Sequence, residues 1–324
     1  MKISKAVVTG GCGFIGSHIV DELLRRGIET FVIDDLSTGS TGNLRHHENN
    51  KLLHVHINDA RKIGVLLSGV KDIDVVFHQA AIASVTRSVH EPMVVHDVNV
   101  NMSLEIMNFC VKNGVKKILF ASTAAIYGSI GDKQASENML CRPFSPYGAS
   151  KLSVENYLDA YHASYGLETV ALRYFNVFGP RQMWNNDYNG VITIFANQLL
   201  ERKIPTIYGD GQQTRDFVHV SDIIQANMLA MESKNTVAEK FNVATGNSIT
   251  ILALLEILKS LTRTKDVSHK FGPSRPGDIR YGAASIDRIK NGLGYAPKIS
   301  MEEGLSGLVE FFRNNRLLHE EKIM

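Results

Sequence analysis

The sequence predicts an α/β fold built on a parallel β-sheet with crossover helices. In the first half of the 324-residue chain, short apolar runs alternate with segments of helical periodicity. A glycine-rich turn joins the first apolar run to the first helical segment, as in a strand–turn–helix unit. After Arg173 the chain becomes rich in loops over residues 176–211, which predicts a second, smaller unit.

Each predicted strand is a short apolar run, and each predicted helix has apolar residues that recur at one-turn spacing. In the first helix, Ile19, Val20, Leu23 and Leu24 share one face, and Gly27 ends it. The predicted strands are Lys5–Thr9, Thr30–Ile33, Leu52–Ile57, Val75–His78, Lys117–Ala121, Thr169–Arg173 and Phe241–Val243. The predicted helices are Gly16–Arg26, Met93–Lys112, a helix carrying Tyr147 and Lys151, Val191–Glu201, Ile251–Leu261 and Glu302–Arg313.

The composition excludes several classes of function. The chain is 44 % hydrophobic and 21 % charged with a net charge of +2, so no general attraction to nucleic acid or anionic membrane is expected. Cys12, Cys110 and Cys141 are too few and too scattered for a disulfide framework or a zinc site. The N-terminus runs directly into a strand, and no apolar stretch approaches the ~18 residues that span a bilayer. We therefore expect a cytoplasmic protein.

The glycine turn predicts a dinucleotide site. Gly10, Gly13 and Gly16 recur at three-residue steps, so the backbone can approach a pyrophosphate held at the helix N-terminus. Asp34 ends the second strand about twenty residues further on, where a carboxylate binds the adenosine ribose and repels a 2′-phosphate. With Asp35 in support, this favours NAD over NADP. The alternative is a plain helix-start turn followed by a surface Asp-Asp pair.

Tyr147 and Lys151 form a candidate catalytic pair. They stand four residues apart, about one helical turn, and so share a helix face. A cation beside a phenol lowers the pKa of the phenol, which can then take a proton from an alcohol near neutral pH. A nicotinamide nearby would accept the hydride. Such a pair also occurs by chance in many helices, and the glycine turn supplies the context that favours chemistry.

Further motifs give the chain a family resemblance. They are His78-Gln79-Ala80-Ala81, Asn99-Val100, segments 120–128, 173–181 and 209–217, and Arg275-Pro276-Gly277-Asp278. With them, residues 1 to about 313 resemble the extended short-chain dehydrogenase/reductases, and most closely the UDP-hexose 4-epimerases. The resemblance implies a doubly wound Rossmann sheet of about seven strands and a smaller α/β C-terminal domain. The NAD domain would be residues 1–175, with about 216–246 returning to it, and the nucleotide-sugar domain 176–215 with 247–324.

The resemblance also implies a homodimer that forms through a four-helix bundle. In it, the Met93–Lys112 helix would meet the Ser153–Tyr165 segment. The side chains that fit the seam are Val154, Tyr157, Leu158 and Tyr161. The implied partners are a UDP-sugar and a second copy of the chain, with no nucleic acid and no membrane.

The resemblance assigns catalytic roles to three residues. Tyr147 removes the proton from the sugar 4-hydroxyl while C4 gives its hydride to NAD, and Lys151 binds the nicotinamide ribose and tunes Tyr147. Thr123 stands where most relatives have serine and would hydrogen-bond O4. The 4-keto sugar then turns and takes the hydride back on its other face, so the NAD is recycled within each turnover.

The other implied NAD contacts come from the turn and from loops that follow the strands. They are Phe14, Ile15, Ser37, Thr38, Gly39, Asp59, Ala60, Gln79, Ala80, Ala81, Asn99 and Tyr174. Asp59 is placed to reach the adenine, but it could equally be a helix cap.

The two phosphate charges of a UDP-sugar call for arginine, which binds phosphate oxygens bidentately. Arg215 and Arg275 match the pyrophosphate-binding arginines of the family. Asn176 matches its phosphate-binding amide, and Asp278 its uridine-ribose carboxylate. The remaining implied substrate contacts are Ser84, Thr123, Tyr147, Gly190, Val191, Thr206, Tyr208, Phe217 and Gly282.

Two short features select among the family's reactions and substrates. Related dehydratases and decarboxylases carry acids after the catalytic threonine, whereas this chain has Ala124 and Ala125, which favours plain epimerisation. A gate residue four positions after Asp278 is tyrosine in strict UDP-glucose epimerases and Cys or Ser in enzymes that accept N-acetylhexosamines. Here it is Gly282, so UDP-GlcNAc and UDP-GalNAc should fit besides UDP-glucose and UDP-galactose. A one-residue shift would place Tyr281 in the gate, and UDP-glucuronate is a third possibility.

The histidines and Cys12 do not predict a metal site or a reactive thiol. His54 and His56 share a strand face near His46-His47, but a metal needs three or four converging ligands, so no metal is predicted. Cys12, in the glycine turn, is expected to pack against the cofactor, although a helix N-terminus could lower its pKa. The competing classes are a dehydrogenase that releases NADH and a non-catalytic NAD sensor.

Overall fold

A parallel β-sheet of seven strands forms the centre of the part of the chain that the structure describes. The structure is a computed structural model and describes residues 3–183, 190–234, 236–274 and 280–320, with side chains as far as residue 315. Its strands are β1 (Lys5–Thr9), β2 (Glu29–Asp34), β3 (Leu53–Ile57), β4 (Val75–His78), β5 (Lys117–Thr123), β6 (Glu168–Tyr174), β7 (Asn176–Phe178), β8 (Thr206–Tyr208), β9 (Thr214–Arg215), β10 (Phe217–His219), β11 (Glu239–Val243), β12 (Ile249–Thr250) and β13 (Lys270–Gly272).

Helices cover both faces of this sheet and build the C-terminal part. Those in the described ranges are α1 (Phe14–Arg25), α2 (Ile63–Leu66), α3 (Val85–His90), α4 (Pro92–His96), α5 (Met102–Lys112), α6 (Pro146–Tyr165), α7 (Val191–Leu200), α8 (Val220–Glu232), α9 (Ile251–Thr262), α10 (Asp287–Leu293) and α11 (Met301–Glu320). Short 3₁₀ turns occur at Thr41–His47, Ala60–Lys62 and Ala124–Ile126. None of the helices within these ranges combines the length and apolarity that crossing a membrane requires.

The sheet has the strand order of a doubly wound fold. The order is β11-β6-β5-β4-β1-β2-β3, and every neighbouring pair is parallel. The chain moves outward from β1 to β3 and then returns to β4, so the strand order reverses between β1 and β4. Thr9 and His78 lie opposite each other at the carboxyl ends of these two strands. Sheets of this type bind ligands in a crevice at this edge. The strand order confirms the predicted Rossmann sheet.

The three largest of the four apolar clusters in the described residues pack the main elements together. One lies between the sheet and helices α1 and α8, around Leu23 and Ile223. A second lies on the opposite face under α5 and α6, around Ile106 and Leu158. The third is built after residue 176, where α7, α9 and α11 pack side chains such as Phe312. The third cluster agrees with the predicted second unit, while the exact domain boundaries stay a prediction.

The predicted strands are confirmed with ends shifted by up to two residues, and Phe241–Val243 does return to the main sheet as part of β11. The long helix predicted at Met93–Lys112 is interrupted by a π-helical turn, Asp97–Asn101, which separates α4 from α5. A π turn inserts one residue into the helical repeat and often marks a functional site. Helices α2, α3, α8 and α10 are absent from the sequence prediction, although α8 carries apolar residues at helical spacing that could have revealed it.

The sequence prediction assigns two residues wrongly to the dimer seam. Val154 and Leu158 are 1 % and 2 % exposed and belong to the core beneath α6. Tyr157 is exposed, and Tyr161 donates its hydroxyl to Asn108 Oδ1 on α5 at 2.7 Å. The four-residue spacing of Val154 and Leu158 identifies an apolar helix face, but it does not reveal whether that face meets the chain's own sheet or a partner.

Candidate active site

The turn between β1 and α1 needs its glycines for close packing. Gly10 has φ +70°, and a Cβ added there would lie 2.8 Å from Ala80 N at the end of β4. A Cβ on Gly16 would lie only 2.1 Å from Gly10 O. Helix α1 begins at Phe14 after Gly13, which caps it without a side-chain hydrogen bond. The first N–H groups of the helix are therefore available to an anion, as a pyrophosphate site requires.

Asp34 lies at the end of β2, and its carboxylate is fixed by the backbone. Oδ2 accepts from Cys12 N at 2.9 Å, and Oδ1 accepts from Leu36 N at 2.8 Å. Burial raises the pKa of Asp34, and these backbone hydrogen bonds oppose the rise. Each oxygen keeps a further lone pair. A Cβ on Gly39 would lie 2.9 Å from Oδ1, so the loop that follows also needs glycine beside this carboxylate.

The segment after β4 is tied to the helix that carries the candidate catalytic pair. Asn99 is almost fully buried in the π turn, and its Oδ1 accepts from Ile82 N at 2.8 Å. Its Nδ2 donates to Ser150 Oγ on α6 at 3.0 Å. Asn99 thus positions the segment around Ala80 and Ala81. Ser84 caps α3 by accepting from Arg87 N at 3.1 Å.

Other predicted NAD residues already have structural partners. Asp59 caps the 3₁₀ turn at Ala60–Lys62 and pairs with Arg61, whose hydrogen bonds lower the pKa of Asp59. The helix-cap alternative is therefore confirmed, and adenine contact stays a prediction. Asp35 Oδ1 accepts from Ser37 N at 2.9 Å. Burial raises the pKa of Tyr174, beside Gln79, to about 12. The other predicted NAD contacts lie on elements already described. Phe14 and Ile15 begin α1, Thr38 lies in the loop after β2, and Ala60 begins the 3₁₀ turn at Ala60–Lys62.

Tyr147 and Lys151 lie at the start of α6, against the carboxyl end of β5. Ser145 caps the helix by accepting from Gly148 N at 3.1 Å, which sets Tyr147 in its first turn. Lys151 is 3 % exposed, and its Nζ donates to Ala121 O at 2.9 Å. Thr123 ends β5 and contacts Tyr147 through a side-chain hydrogen bond. The three predicted catalytic residues are therefore brought together.

The titration of this group differs from the sequence expectation. Burial lowers the pKa of Lys151 to about 7, because no carboxylate partner offsets the loss of water around its ammonium. Burial raises the pKa of Tyr147, and the hydrogen bond from Thr123 only opposes that rise. The expected lowering of the Tyr147 pKa by Lys151 is therefore wrong. Sequence spacing places the two groups on one face, but it does not reveal that Lys151 is bonded to Ala121.

A cavity of about 330 Å³ after β6 gathers most of the predicted substrate residues. Those that line it are Asn176, Gly190, Val191, Thr206, Tyr208, Arg215 and Phe217. Helix α7 begins beside the cavity at Val191 without a capping side chain, so its N-terminus and Arg215 offer two independent attractions for a phosphate. The predicted contacts Arg275 and Asp278 lie outside the described residues.

Two glutamines in this cavity were missed by the sequence prediction. Gln182 Oε1 and Gln213 Oε1 are buried and have no hydrogen-bond partner within the described part of the chain. Gln213 Nε2 donates to Tyr208 O at 2.7 Å, which fixes the orientation of its amide. Unpaired buried acceptors are costly and normally find a donor, so the cavity suits a ligand with hydroxyl or N–H groups. Gln213 lies in the family motif at 209–217, which was the sequence signal that could have identified it as a site residue.

The histidines and Cys12 have local partners. His54 contacts Glu29 at 3.1 Å, while His46 and His47 both contact Asp21 Oδ1. Asp21 also pairs with Arg181 at 2.7 Å, so a cation already neutralises this carboxylate. The absence of a metal stays a prediction. Burial raises the pKa of Cys12 to about 12, which agrees with a packed, unreactive thiol.

Comparison with known proteins agrees with this geometry. The model of the NAD dependent epimerase/dehydratase family matches residues 6–244. A putative UDP-glucose 4-epimerase of Methanocaldococcus jannaschii is 37 % identical over 310 residues, covering 95 % of this chain and 98 % of the relative. The chain belongs to this family of NAD-dependent enzymes.

Solved structures add two similar members of the family. UDP-N-acetylglucosamine 4-epimerase from Methanobrevibacter ruminantium M1, in complex with UDP-N-acetylmuramic acid, is 42 % identical with a TM-score of 0.91, covering 97 % of this chain and 100 % of that one. UDP-glucuronic acid 4-epimerase from Bacillus cereus, in complex with UDP-glucuronic acid and NAD, is 32 % identical with a TM-score of 0.88, covering 96 % and 99 %. The predicted isomerase of the 4-epimerase type and its cofactor NAD are confirmed. The similar epimerases are named for different sugars, so the sugar is left open.

Proposed function

We propose that this NAD-dependent enzyme inverts C4 of UDP-N-acetylglucosamine and UDP-N-acetylgalactosamine as well as of UDP-glucose and UDP-galactose. The observation that carries the choice of sugar is the glycine at position 282. Its N–H donates to Thr214 Oγ1 at 3.4 Å, and an added Cβ would lie 3.0 Å from Thr214 O and 3.3 Å from Arg215 Cδ. A larger residue would therefore have to displace β9, which carries Arg215. With glycine, no side chain projects from this position beside Arg215, which lines the cavity.

The acid–base step is assigned to Tyr147, with Thr123 and Lys151 in support. Tyr147 takes the proton from the sugar 4-hydroxyl and returns it after the 4-keto sugar has rotated to present its other face. Thr123 Oγ1 accepts from Ala125 N at 3.2 Å, which leaves its own hydrogen to be donated to the phenol oxygen. The pKa of Lys151, near 7, lets this residue exchange a proton at neutral pH. NAD, when bound, supplies the hydride acceptor at C4 and a positive charge that favours the phenolate.

Two features support epimerisation without elimination. Ala124 and Ala125 form the 3₁₀ turn directly after Thr123, and neither can act as an acid or a base. The cofactor cradle fits a resident NAD, because the glycine turn leaves the start of α1 open and the backbone holds Asp34 in place. An enzyme that holds its cofactor can use the same hydride twice within one turnover.

Equilibrium product analysis tests the proposal. Purified enzyme is incubated without added NAD with UDP-glucose, UDP-GlcNAc or UDP-glucuronate, and the C4 epimers are quantified. We expect the first two sugars to be converted. If UDP-glucose is converted and UDP-GlcNAc is not, the role of Gly282 is wrong. If NADH accumulates and no epimer forms, the enzyme is a net dehydrogenase. Conversion of UDP-glucuronate alone would favour the alternative substrate.

Variants at Gly282 sharpen this test. Gly282→Tyr should lower kcat/KM for UDP-GlcNAc by about tenfold or more relative to UDP-glucose, since a steric clash in a packed site costs about 1–3 kcal/mol. Gly282→Ser is the matched control, because serine is small and should leave the ratio between the two sugars near that of the wild type. Equal losses for both sugars in the tyrosine variant would show general damage and would count against a gate at this position.

We also propose that the enzyme is a homodimer that associates through the helices next to the catalytic one. Several large apolar side chains are exposed together on α3, α4 and α6. They are Val85, Val89, Met93, Val94, Tyr157 and Tyr165. These three helices contact one another, and exposed apolar side chains on adjoining helices are typical of protein interfaces. Light scattering should give twice the monomer mass, and Met93→Asp should shift the enzyme toward the monomer; a monomeric wild type at micromolar concentration would contradict the proposal.

A further inference from the structure

A buried ion pair lies behind the candidate catalytic residues. Glu155 on α6 is fully buried, and Arg173 on β6 is 3 % exposed. Arg173 Nη2 donates to Glu155 Oε2 at 2.7 Å, and Arg173 Nε donates to Oε1 at 3.0 Å. Taking two charges out of water is costly, so a pair of this kind persists only where its hydrogen bonds are well satisfied.

Glu155 connects the pair to the strand that ends in Thr123. Ser122 Oγ donates to Glu155 Oε1 at 2.5 Å. In the register of the sheet, Ser122 lies opposite Arg173 and Thr123 lies opposite Tyr174. The Glu155 carboxylate therefore holds both Ser122 and Arg173. These residues immediately precede Thr123 and Tyr174 on the neighbouring strands β5 and β6.

The same helix face makes a contact with β5 in each of three successive turns. Tyr147, Lys151 and Glu155 follow one another at four-residue intervals. Tyr147 meets Thr123, Lys151 Nζ donates to Ala121 O, and Glu155 accepts from Ser122. The first two contacts involve groups assigned to the reaction. Glu155 is fully enclosed by protein and is not among the residues that line the cavity.

Arg173 is itself held on its other side. Its Nη1 donates to Tyr127 Oη at 2.8 Å, and the guanidinium lies 5.1 Å from the centre of the Tyr127 ring. Tyr127 Oη in turn donates to Asn242 Oδ1 on β11 at 2.6 Å. Glu155 therefore faces a partner that is anchored to two sheet strands, to β6 directly and to β11 through Tyr127, which makes the position of Glu155 rigid.

We propose that Glu155 is a positioning residue which, through Ser122 and Arg173, fixes the separation of Tyr147 and Thr123 that proton transfer requires. This inference rests on the proposed function. Catalytic geometry is sensitive to small shifts, and a misplacement of about 1 Å can cost about a hundredfold in rate. Loss of the link to Ser122 frees α6 to move along β5, while the substrate cavity, which lies after β6, keeps its lining.

The variant Ser122→Ala removes the link and leaves the ion pair intact. We expect kcat to fall about tenfold or more while KM for the UDP-sugar stays within about twofold, because the loss occurs in the chemical step. The acid limb of the kcat–pH profile should move to higher pH, since a longer Thr123 hydrogen bond opposes the raised pKa of Tyr147 less. Glu155→Asp, which keeps the charge but shortens the arm by one methylene, should change both quantities in the same direction.

Thr262→Val is the matched control. Thr262 is 8 % exposed at the C-terminal end of α9, its hydroxyl donates to Leu258 O at 2.7 Å, and it is not among the residues that line the cavity. Thr262→Val should lower the melting temperature, as Ser122→Ala should. Unlike Ser122→Ala, it should leave kcat and the pH profile unchanged. If Ser122→Ala and Glu155→Asp behave like this control, the pair is structural and the inference is wrong. A wild type that converts no UDP-sugar would refute the proposed function first and the positioning role with it.

Discussion

Replacing Gly16 by alanine tests how strictly the glycine turn is built. A Cβ at this position would lie 2.1 Å from Gly10 O, 2.8 Å from Gly10 C and 2.9 Å from Gly11 Cα. All three are backbone atoms, so no flexible side chain can move aside. Reaching an ordinary contact requires a shift of about 1 Å or more between the start of α1 and the turn.

Both stability and cofactor binding should suffer from this shift. Overpacking of a well-packed site costs about 1–3 kcal/mol and occasionally more, and a backbone clash falls at the upper end. The N–H groups at the start of α1 would move by a similar distance. Hydrogen bonds to charged groups contribute about 1.5–3 kcal/mol each. Loss of one such bond to the pyrophosphate weakens NAD binding by about 10- to 100-fold.

The control is Gly64→Ala on α2. No atom lies within 4 Å of a Cβ built there. Alanine is better than glycine inside a helix by about 1 kcal/mol, so this variant should be as stable as the wild type or slightly more stable. Urea unfolding gives the free energies, and calorimetric titration with NAD, after removal of bound cofactor, gives the dissociation constants. If Gly16→Ala binds NAD and unfolds as the wild type does, the turn is not the rigid cradle inferred from these contacts.

Three further predictions concern single groups. Burial lowers the pKa of Lys151 to about 7, so above that pH the folded protein binds fewer protons than the unfolded chain and its stability rises. Relative to Lys151→Met, the wild type should gain about 2 kcal/mol between pH 7 and 9 in urea unfolding of the NAD-free protein, and a flat difference would contradict this. Burial raises the pKa of Asp216 to about 6, so relative to Asp216→Asn the free energy of unfolding of the wild type should fall by about 2 kcal/mol between pH 4 and 6. A difference that grows with pH would show the sign to be wrong. Thr123→Val should lower kcat about 10- to 100-fold through loss of a buried hydrogen bond to Tyr147, whereas Thr123→Ser should retain most activity, and equal kcat values for the two variants would exclude the hydroxyl from the reaction.

The parts of the site that sequence predicts well are those that depend on neighbours along the chain. The glycine spacing of the first turn and the position of Asp34 at the end of β2 follow from a strand–turn–helix pattern. The one-turn separation of Tyr147 and Lys151 likewise places both on one face of α6. Family motifs predicted most of the candidate substrate residues, and the structure brings seven of them together around one cavity.

Other features depend on what a side chain meets across the fold. Val154 and Leu158 have the spacing of an exposed seam, yet they pack onto the sheet of their own chain. Gln182 and Gln213 are ordinary polar residues in the sequence, and only the fold shows that their side-chain oxygens are buried without a donor among the described residues.

The sequence by itself predicted the sheet, the cofactor NAD and the candidate acid–base pair, because the strand–turn–helix pattern and the one-turn spacing of Tyr147 and Lys151 are carried by residues close together in the chain. Tertiary structure decided how those groups titrate and what holds them. Burial lowers the pKa of Lys151, whose ammonium donates to a carbonyl of β5, and burial raises the pKa of Tyr147. The carboxylate of Glu155 joins two strands and a helix that are distant in sequence. Burial and long-range hydrogen bonds set these properties, and neither is a property of local sequence.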